Sequence, residues 1–113
     1  MPTIEDILAA RERVASEILT TPCKRTRAFE DLVACHLYFK LENMQRTGSF
    51  KERGAVNRLS LLTAEERTRG VVTASAGNHA QALAYHAGRL GIEATVVMPE
   101  TTPLTKISNS RRY

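Results

Sequence analysis

The chain has 113 residues, 42% hydrophobic and 25% charged, with 16 Lys and Arg against 12 Asp and Glu for a net charge of +4. A chain of this length supports one modest core. The basic residues are scattered, only 5% of residues are aromatic and no nucleic-acid motif occurs, so a mixed solvated surface is expected and no nucleic-acid partner. No apolar run approaches the length of a membrane span, and the amphipathic N-terminus of mixed charge is unlike a signal peptide. No membrane partner and a cytoplasmic location are therefore expected.

Ile4, Ile7, Leu8, Val14, Ala15, Ile18 and Leu19 follow helical spacing, with Thr3 as N-cap and Thr20-Thr21-Pro22 as the stop. Cys23 and Cys35 lack zinc-site spacing and read as reduced thiols. Cys35 and His36, adjacent on a strand, would point to opposite faces and form no catalytic dyad. Leu37, Phe39 and Leu41 alternate with Tyr38, Lys40 and Glu42 as in a half-buried strand, which ends before a turn at 43–48 that Gln45 and Thr47 shape. Ser49 and Glu52 have capping-box spacing, which predicts Ser49 as N-cap and Lys51 in the first turn of a helix from Phe50 to about Leu62. That helix would bury Ala55, Leu59 and Leu62, with Arg53 and Arg58 solvated or ion-paired. Thr63 and Glu66 repeat the capping spacing. A strand at 70–74, a helix at 78–90 and a strand at 94–98 read as a right-handed βαβ unit with Gly91 as the helix stop. His79 and His86, seven apart, do not have the spacing of a zinc pair, so no metal site is expected, and His86 reads as an ordinary helix-face residue. Tyr85 is open between core and interface. Pro103 suits the first position of a last helix.

Two segments carry candidate chemistry. Lys51 falls where a helix begins, after the Gly48 turn, and partial desolvation beside the positive end of the helix dipole would favour the neutral amine that attacks a carbonyl to form a Schiff base. A first-turn lysine is also commonly a solvated surface residue. Ser75-Ala76-Gly77-Asn78-His79 links a strand to an alanine-rich helix, so free backbone N–H groups there would hold a carboxylate or phosphate, unless the segment is simply a turn. Asn78 would cap that helix or aim its amide at a ligand, and Gly77 would let a ligand approach the backbone. In an open parallel sheet both helices would start at the carboxyl ends of strands, where one ligand reaches both. A small nucleotide-binding or flavodoxin-like domain would satisfy that topology too, although Gly-x-Gly-x-x-Gly and P-loop patterns are absent.

Lys40 to Ala55, with its Gly48-Ser49-Phe50-Lys51-Glu52-Arg53-Gly54-Ala55 core, resembles the cofactor-lysine segment of the fold-type II pyridoxal-phosphate enzymes, and of their threonine/serine dehydratase group in particular. Ser75-Ala76-Gly77-Asn78-His79-Ala80-Gln81 resembles that group's substrate-carboxylate loop, and Pro99 to Lys106 the stretch that follows. The likeness runs from Thr21-Pro22 to the end. It implies an α/β fold like that of the tryptophan synthase β chain, a parallel sheet with flanking helices, here incomplete. It also implies pyridoxal 5'-phosphate as cofactor, a small amino acid as substrate and a homo-oligomeric full-length protein. Lys51 would carry the cofactor as a Schiff base and remove the α-proton; Asn78 would hydrogen-bond the cofactor's phenolic oxygen and Phe50 would pack beside its ring. Ser75, Gly77, Asn78 and His79 would bind the substrate carboxylate. The implied reaction is α,β-elimination, converting threonine to 2-oxobutanoate and serine to pyruvate, with release of ammonia.

Serine racemases of the family place a Ser before the loop glycine as the acid for the opposite face. This chain has Ala76, which cannot donate a proton, so elimination is favoured over racemisation, with a hydroxyaspartate dehydratase or a racemase using another acid as alternatives. The family's later glycine-rich phosphate loop and the Ser or Cys facing the pyridine nitrogen are not found among these residues. The chain therefore reads as an N-terminal fragment, inactive alone: 1–46 as part of the large domain, 47–113 as part of the small α/β domain. A truncated binding module that has lost the chemistry is the other reading.

Overall fold

A computed structural model describes residues 1–113. Helix α1 (Ile4–Val14) is followed by strand β1 (Cys23–Thr26), the one-turn helix α2 (Glu30–Val33), strand β2 (Leu37–Lys40) and a 3-10 turn at Glu42–Met44. Then come helix α3 (Lys51–Ser60), short helix α4 (Ala64–Arg69), strand β3 (Val71–Ala74), helix α5 (Asn78–Arg89), strand β4 (Ala94–Val97) and helix α6 (Leu104–Arg111). The fold is α/β, with a small parallel sheet and flanking helices. No helix is long and apolar enough to cross a membrane.

Both strand pairs are two-stranded and separate. β3 and β4 run parallel in register from Val71↔Ala94 to Ala74↔Val97, joined by the α5 crossover. β1 and β2 instead form an antiparallel ribbon, from Cys23↔Lys40 to Thr26↔Leu37. The strand before Lys51 therefore does not join the parallel sheet, which corrects the shared-sheet geometry expected from the sequence. Nor is it half-buried: Tyr38, Phe39 and Lys40 are all exposed, since little in the chain packs on the ribbon beyond the edge-on contact of Phe29 with Phe39. Cys35 and His36 lie in the turn before β2 rather than on a strand, and both cysteines are free thiols.

Local chemistry accounts for most boundaries. Thr3 caps α1 by accepting the Asp6 N–H at 3.2 Å while Asp6 accepts the Thr3 N–H at 2.8 Å. The helix stops at Val14, short of the Leu19 expected, because later residues take other partners. Gln45 binds both the N–H and the C=O of Leu19, and Arg46 donates to the Glu17 carbonyl at 2.5 Å. Thr63 and Glu66 form the predicted capping box on α4. After α5, Gly91 takes the left-handed conformation at φ 66°, and the Ile92 and Gly91 N–H groups reach the Ala87 and Gly88 carbonyls in a Schellman closure. That closure drops Ile92 back on Ala87 in the core, which also holds Leu59 and Leu83. Leu62 lies at the edge of this cluster rather than inside it. α3 and α5 pack face to face, and α1 also packs on α3, where Arg13 Nε donates to Asn57 Oδ1 at 2.9 Å.

Candidate active site

The turn that delivers Lys51 is held by buried and half-buried polar side chains. Glu42 accepts from Arg53 Nε at 2.8 Å and Nη2 at 2.9 Å, and from the Thr21 hydroxyl at 2.6 Å. The Arg53 guanidinium foremost, with help from Thr21 and Gln45 and against the effect of burial, lowers the Glu42 carboxyl to a pKa of about 2. Arg53 is thus ion-paired. Gln45 and Thr47 are buried, and Gln45 ties the turn to Leu19, so both shape the turn as their positions suggested.

Ser49 does not cap α3. Phe50 occupies the N-cap position without a side-chain bond, while Ser49 Oγ accepts only the Lys51 N–H at 3.3 Å. The reason is Glu52, the predicted reciprocal partner, which is drawn wholly inside. Its Oε1 accepts the Thr47 N–H, and its Oε2 lies 3.2 Å from His86 Nε2 on α5. Lys51, one residue earlier, points outward, with Nζ 4.7 Å from the centre of the Phe50 ring, itself 57% exposed. The start of α3 therefore presents an amine and an aromatic face together.

In the 75–79 loop, Ser75 Oγ accepts the Gly77 N–H at 3.3 Å, and Gly77, at φ −132° and ψ −152°, is the N-cap of α5. Asn78 is the first helical residue and not the cap, so its exposed amide is left to face outward. The first intrahelical bond runs from the Gln81 N–H to the Gly77 carbonyl at 3.4 Å, which leaves the amides of Asn78, His79 and Ala80 without helical acceptors. A Cβ built on Gly77 would meet nothing within 4 Å, so the approach to those amides is open. This is a carboxylate-binding geometry at the positive end of a 12-residue helix.

The structure brings the two motifs onto directly packed helices, but no hydrogen bond or ion pair joins Lys51 to the loop. His79 lines a cavity of about 420 Å³ between α3 and β3, with Arg58, Leu59 and Leu83. A larger one of about 570 Å³, among α5, β4 and α6, includes none of the predicted site residues. Arg58 lies 3.8 Å from Glu66 at the surface. No His, Cys, Asp and Glu cluster has the makings of a metal site.

His86 corrects its sequence reading: it is fully buried, not an ordinary face residue. Burial is the main force pushing its pKa down, opposed by Glu52. The signal that would have found it is positional. His86 falls three residues after Leu83 and beside Ala87, on the stripe that packs inward.

The chain is similar in sequence and fold to known proteins. A sequence profile described as "Pyridoxal-phosphate dependent enzyme" matches residues 14–113. The L-threo-3-hydroxyaspartate ammonia-lyase of Saccharomyces cerevisiae is 43% identical over 113 residues, 100% of this chain and 35% of that protein. The L-threonine ammonia-lyase of Thermotoga maritima is 46% identical over 111 residues, 98% of this chain and 28% of that protein. The crystal structure of serine racemase from Dictyostelium discoideum superposes with a TM-score of 0.92 at 42% identity, covering 98% of this chain and 36% of that one. The chain thus spans about a third of the length of the relatives it matches. The profile match starts at the last residue of α1 and takes in the turn before Lys51, the 75–79 loop and both sheets: the chain belongs to the pyridoxal-phosphate dependent enzyme family.

Proposed function

We propose that this chain is the N-terminal part of an amino-acid lyase that converts L-threonine, and L-serine, to 2-oxobutanoate or pyruvate with release of ammonia. The observation that carries the proposal is the pairing of an outward-facing lysine amine with a helix N-terminus of unused amides, on two helices packed against each other. In this reading residues 1–46 belong to the large domain and 47–113 to the small one, a division supported by the separation of the β1–β2 ribbon from the β3–β4 pair. The complete protein would be a cytoplasmic homo-oligomer acting on a small amino acid, with neither a nucleic-acid nor a membrane partner.

The residues present fit pyridoxal phosphate, the family's cofactor. Lys51 offers an exposed amine for its aldehyde, Phe50 an exposed ring to lie beside it, and Asn78 an exposed amide for its phenolic oxygen. When bound, the cofactor acts as the electron sink that makes the substrate's α-proton removable. Lys51 Nζ, freed once the substrate amine has taken its place on the aldehyde, would take that proton. The amides at the start of α5, with the Ser75 hydroxyl and the side chains of Asn78 and His79, hold the substrate carboxylate through hydrogen bonds aimed at its charge. Loss of the β-hydroxyl as water, followed by hydrolysis, would give the 2-oxo acid and ammonia.

Ala76 supports elimination, because its methyl group cannot return a proton from the opposite face. Serine racemisation and hydroxyaspartate dehydration are the second reading, favoured by the named activities of the yeast relative and of the Dictyostelium structure. In the complete protein, borohydride should trap the cofactor on Lys51, and Lys51→Ala should abolish both trapping and 2-oxobutanoate formation. Trapping that persists in that variant would sink the assignment of the lysine. Assays with L-threonine, L-serine and L-threo-3-hydroxyaspartate, alongside D-serine detection, separate the substrates.

A further inference from the structure

Glu52 and His86 are among the largest side chains with no exposure at all, and the chemistry proposed above uses neither. We propose that Glu52, held by His86, is a positioning residue that fixes the turn presenting Lys51. The proposal rests on reading Lys51 as the cofactor lysine.

One carboxyl group ties three pieces of the fold. Glu52 is rooted in the first turn of α3; its Oε1 accepts the Thr47 N–H from the turn upstream, and its Oε2 meets His86 Nε2 across the helix interface at 3.2 Å. Neighbouring residues on a helix point about 100° apart, so drawing Glu52 inward turns Lys51 outward.

The histidine suits the task of a fixed donor. Burial lowers its pKa, and a neutral ring has one N–H. The contact with Glu52 assigns that proton to Nε2 and leaves Nδ1 a bare acceptor, in keeping with its having no partner. The charged groups around His86 are Glu52 from α3, Arg89 on α5 itself and Glu17 from the segment after α1. Packed apolar side chains would hold α3 to α5 at least as firmly as a buried polar pair. They would not accept the Thr47 N–H, and so would leave the turn before Lys51 without its anchor.

The test uses the complete protein and two readouts: hydrogen exchange of the 47–51 amides, and the rate at which added pyridoxal phosphate becomes trapped on Lys51. Glu52→Leu fills the space without an acceptor and should speed Thr47 exchange and slow attachment, each by tenfold or more. Glu52→Gln restores an acceptor oxygen for the Thr47 N–H, so this variant should recover most of both. Ile92→Ala, a core lesion away from the link, controls for general loss of stability and should leave exchange at 47–51 near wild type. His86→Leu, expected to shift both readouts in the direction of Glu52→Leu, carries the test if that variant does not fold. Wild-type exchange at Thr47 in both leucine variants, or Glu52→Gln behaving like Glu52→Leu, would overturn the proposal. Failure of the unmodified protein to trap cofactor on Lys51 would instead remove the proposed function, while exchange would still decide whether the pair holds the turn.

Discussion

Replacing Glu42 by Gln is expected to destabilise the protein near neutral pH and to flatten its unfolding in acid. In the folded chain the Glu42 carboxyl sits at about 2 against an ordinary 4.5, chiefly through the two bonds from Arg53. At about 1.4 kcal/mol per pKa unit this difference amounts to about 3 kcal/mol of stability that depends on the charge. The Arg53 side chain is 39% exposed, so solvent screening reduces the contribution to about 2 kcal/mol. Between about pH 4.5 and 2 the unfolded chain binds a proton that the folded chain refuses. The stabilisation is therefore complete above about pH 5 and disappears as the pH falls through about 2. Gln keeps the size and one acceptor but cannot titrate. At a urea slope of roughly 2 kcal/mol per M, Glu42→Gln should lower the midpoint at pH 7 by about 1 M. The gap from wild type should then close as the pH is stepped down toward 2.5. An unchanged midpoint at pH 7, or a gap that stays constant across the acid range, would refute the assignment.

Gly70→Ala should cost about 2 kcal/mol or more in the same unfolding assay, since φ is +77° and the new Cβ would come within 2.7 Å of the Glu93 carbonyl oxygen. Leu59→Ala removes the one fully buried leucine of the core and should cost about 2–5 kcal/mol, read as a fall in urea midpoint. His86 resists protonation in the folded chain, so the unfolded chain binds more protons below about pH 6.5 and stability falls as the pH drops through that range. His86→Leu should remove that part of the slope between about pH 7 and 5, as measured by thermal unfolding across pH.

The sequence was most legible where one local rule decides the outcome. Thr3, Thr63 and Gly91 end their helices as their residue types predict, because a cap or a left-handed closure is settled within a few residues. The βαβ unit was legible for a related reason: Val71–Ala74 and Ala94–Val97 are short β-branched runs bracketing an alanine-rich helix. The misses depend on partners distant in the chain. Nothing near Cys23 announces that it pairs with Lys40, so the ribbon and its antiparallel sense are not legible in the local sequence. Nothing near Ser49 reveals that Glu52 has a better partner 34 residues away, so a valid capping pattern was overruled by burial.

The same competition explains how the backbone at Lys51 is fixed without enclosing its amine. α5 turns Ala80, Ala82, Ala84 and Ala87 inward, and side chains this small bring its backbone close to its neighbours. α3 meets it with Leu59, packed on Leu83 and Ala87, and that apolar contact sets the distance between the helices. Directional bonds add a fixed register. Glu52 locks α3 to α5 and to the Thr47 amide, and the Glu42–Arg53 pair locks α3 to the 3-10 turn and Thr21. Lys51 falls inside the span of both links, between Thr47 and Glu52 and between Glu42 and Arg53, with its side chain outside both. Order at its Cα is thus imposed from within the fold while its amine stays open to a ligand, the combination that the role proposed for it, binding a carbonyl and moving a proton, would demand.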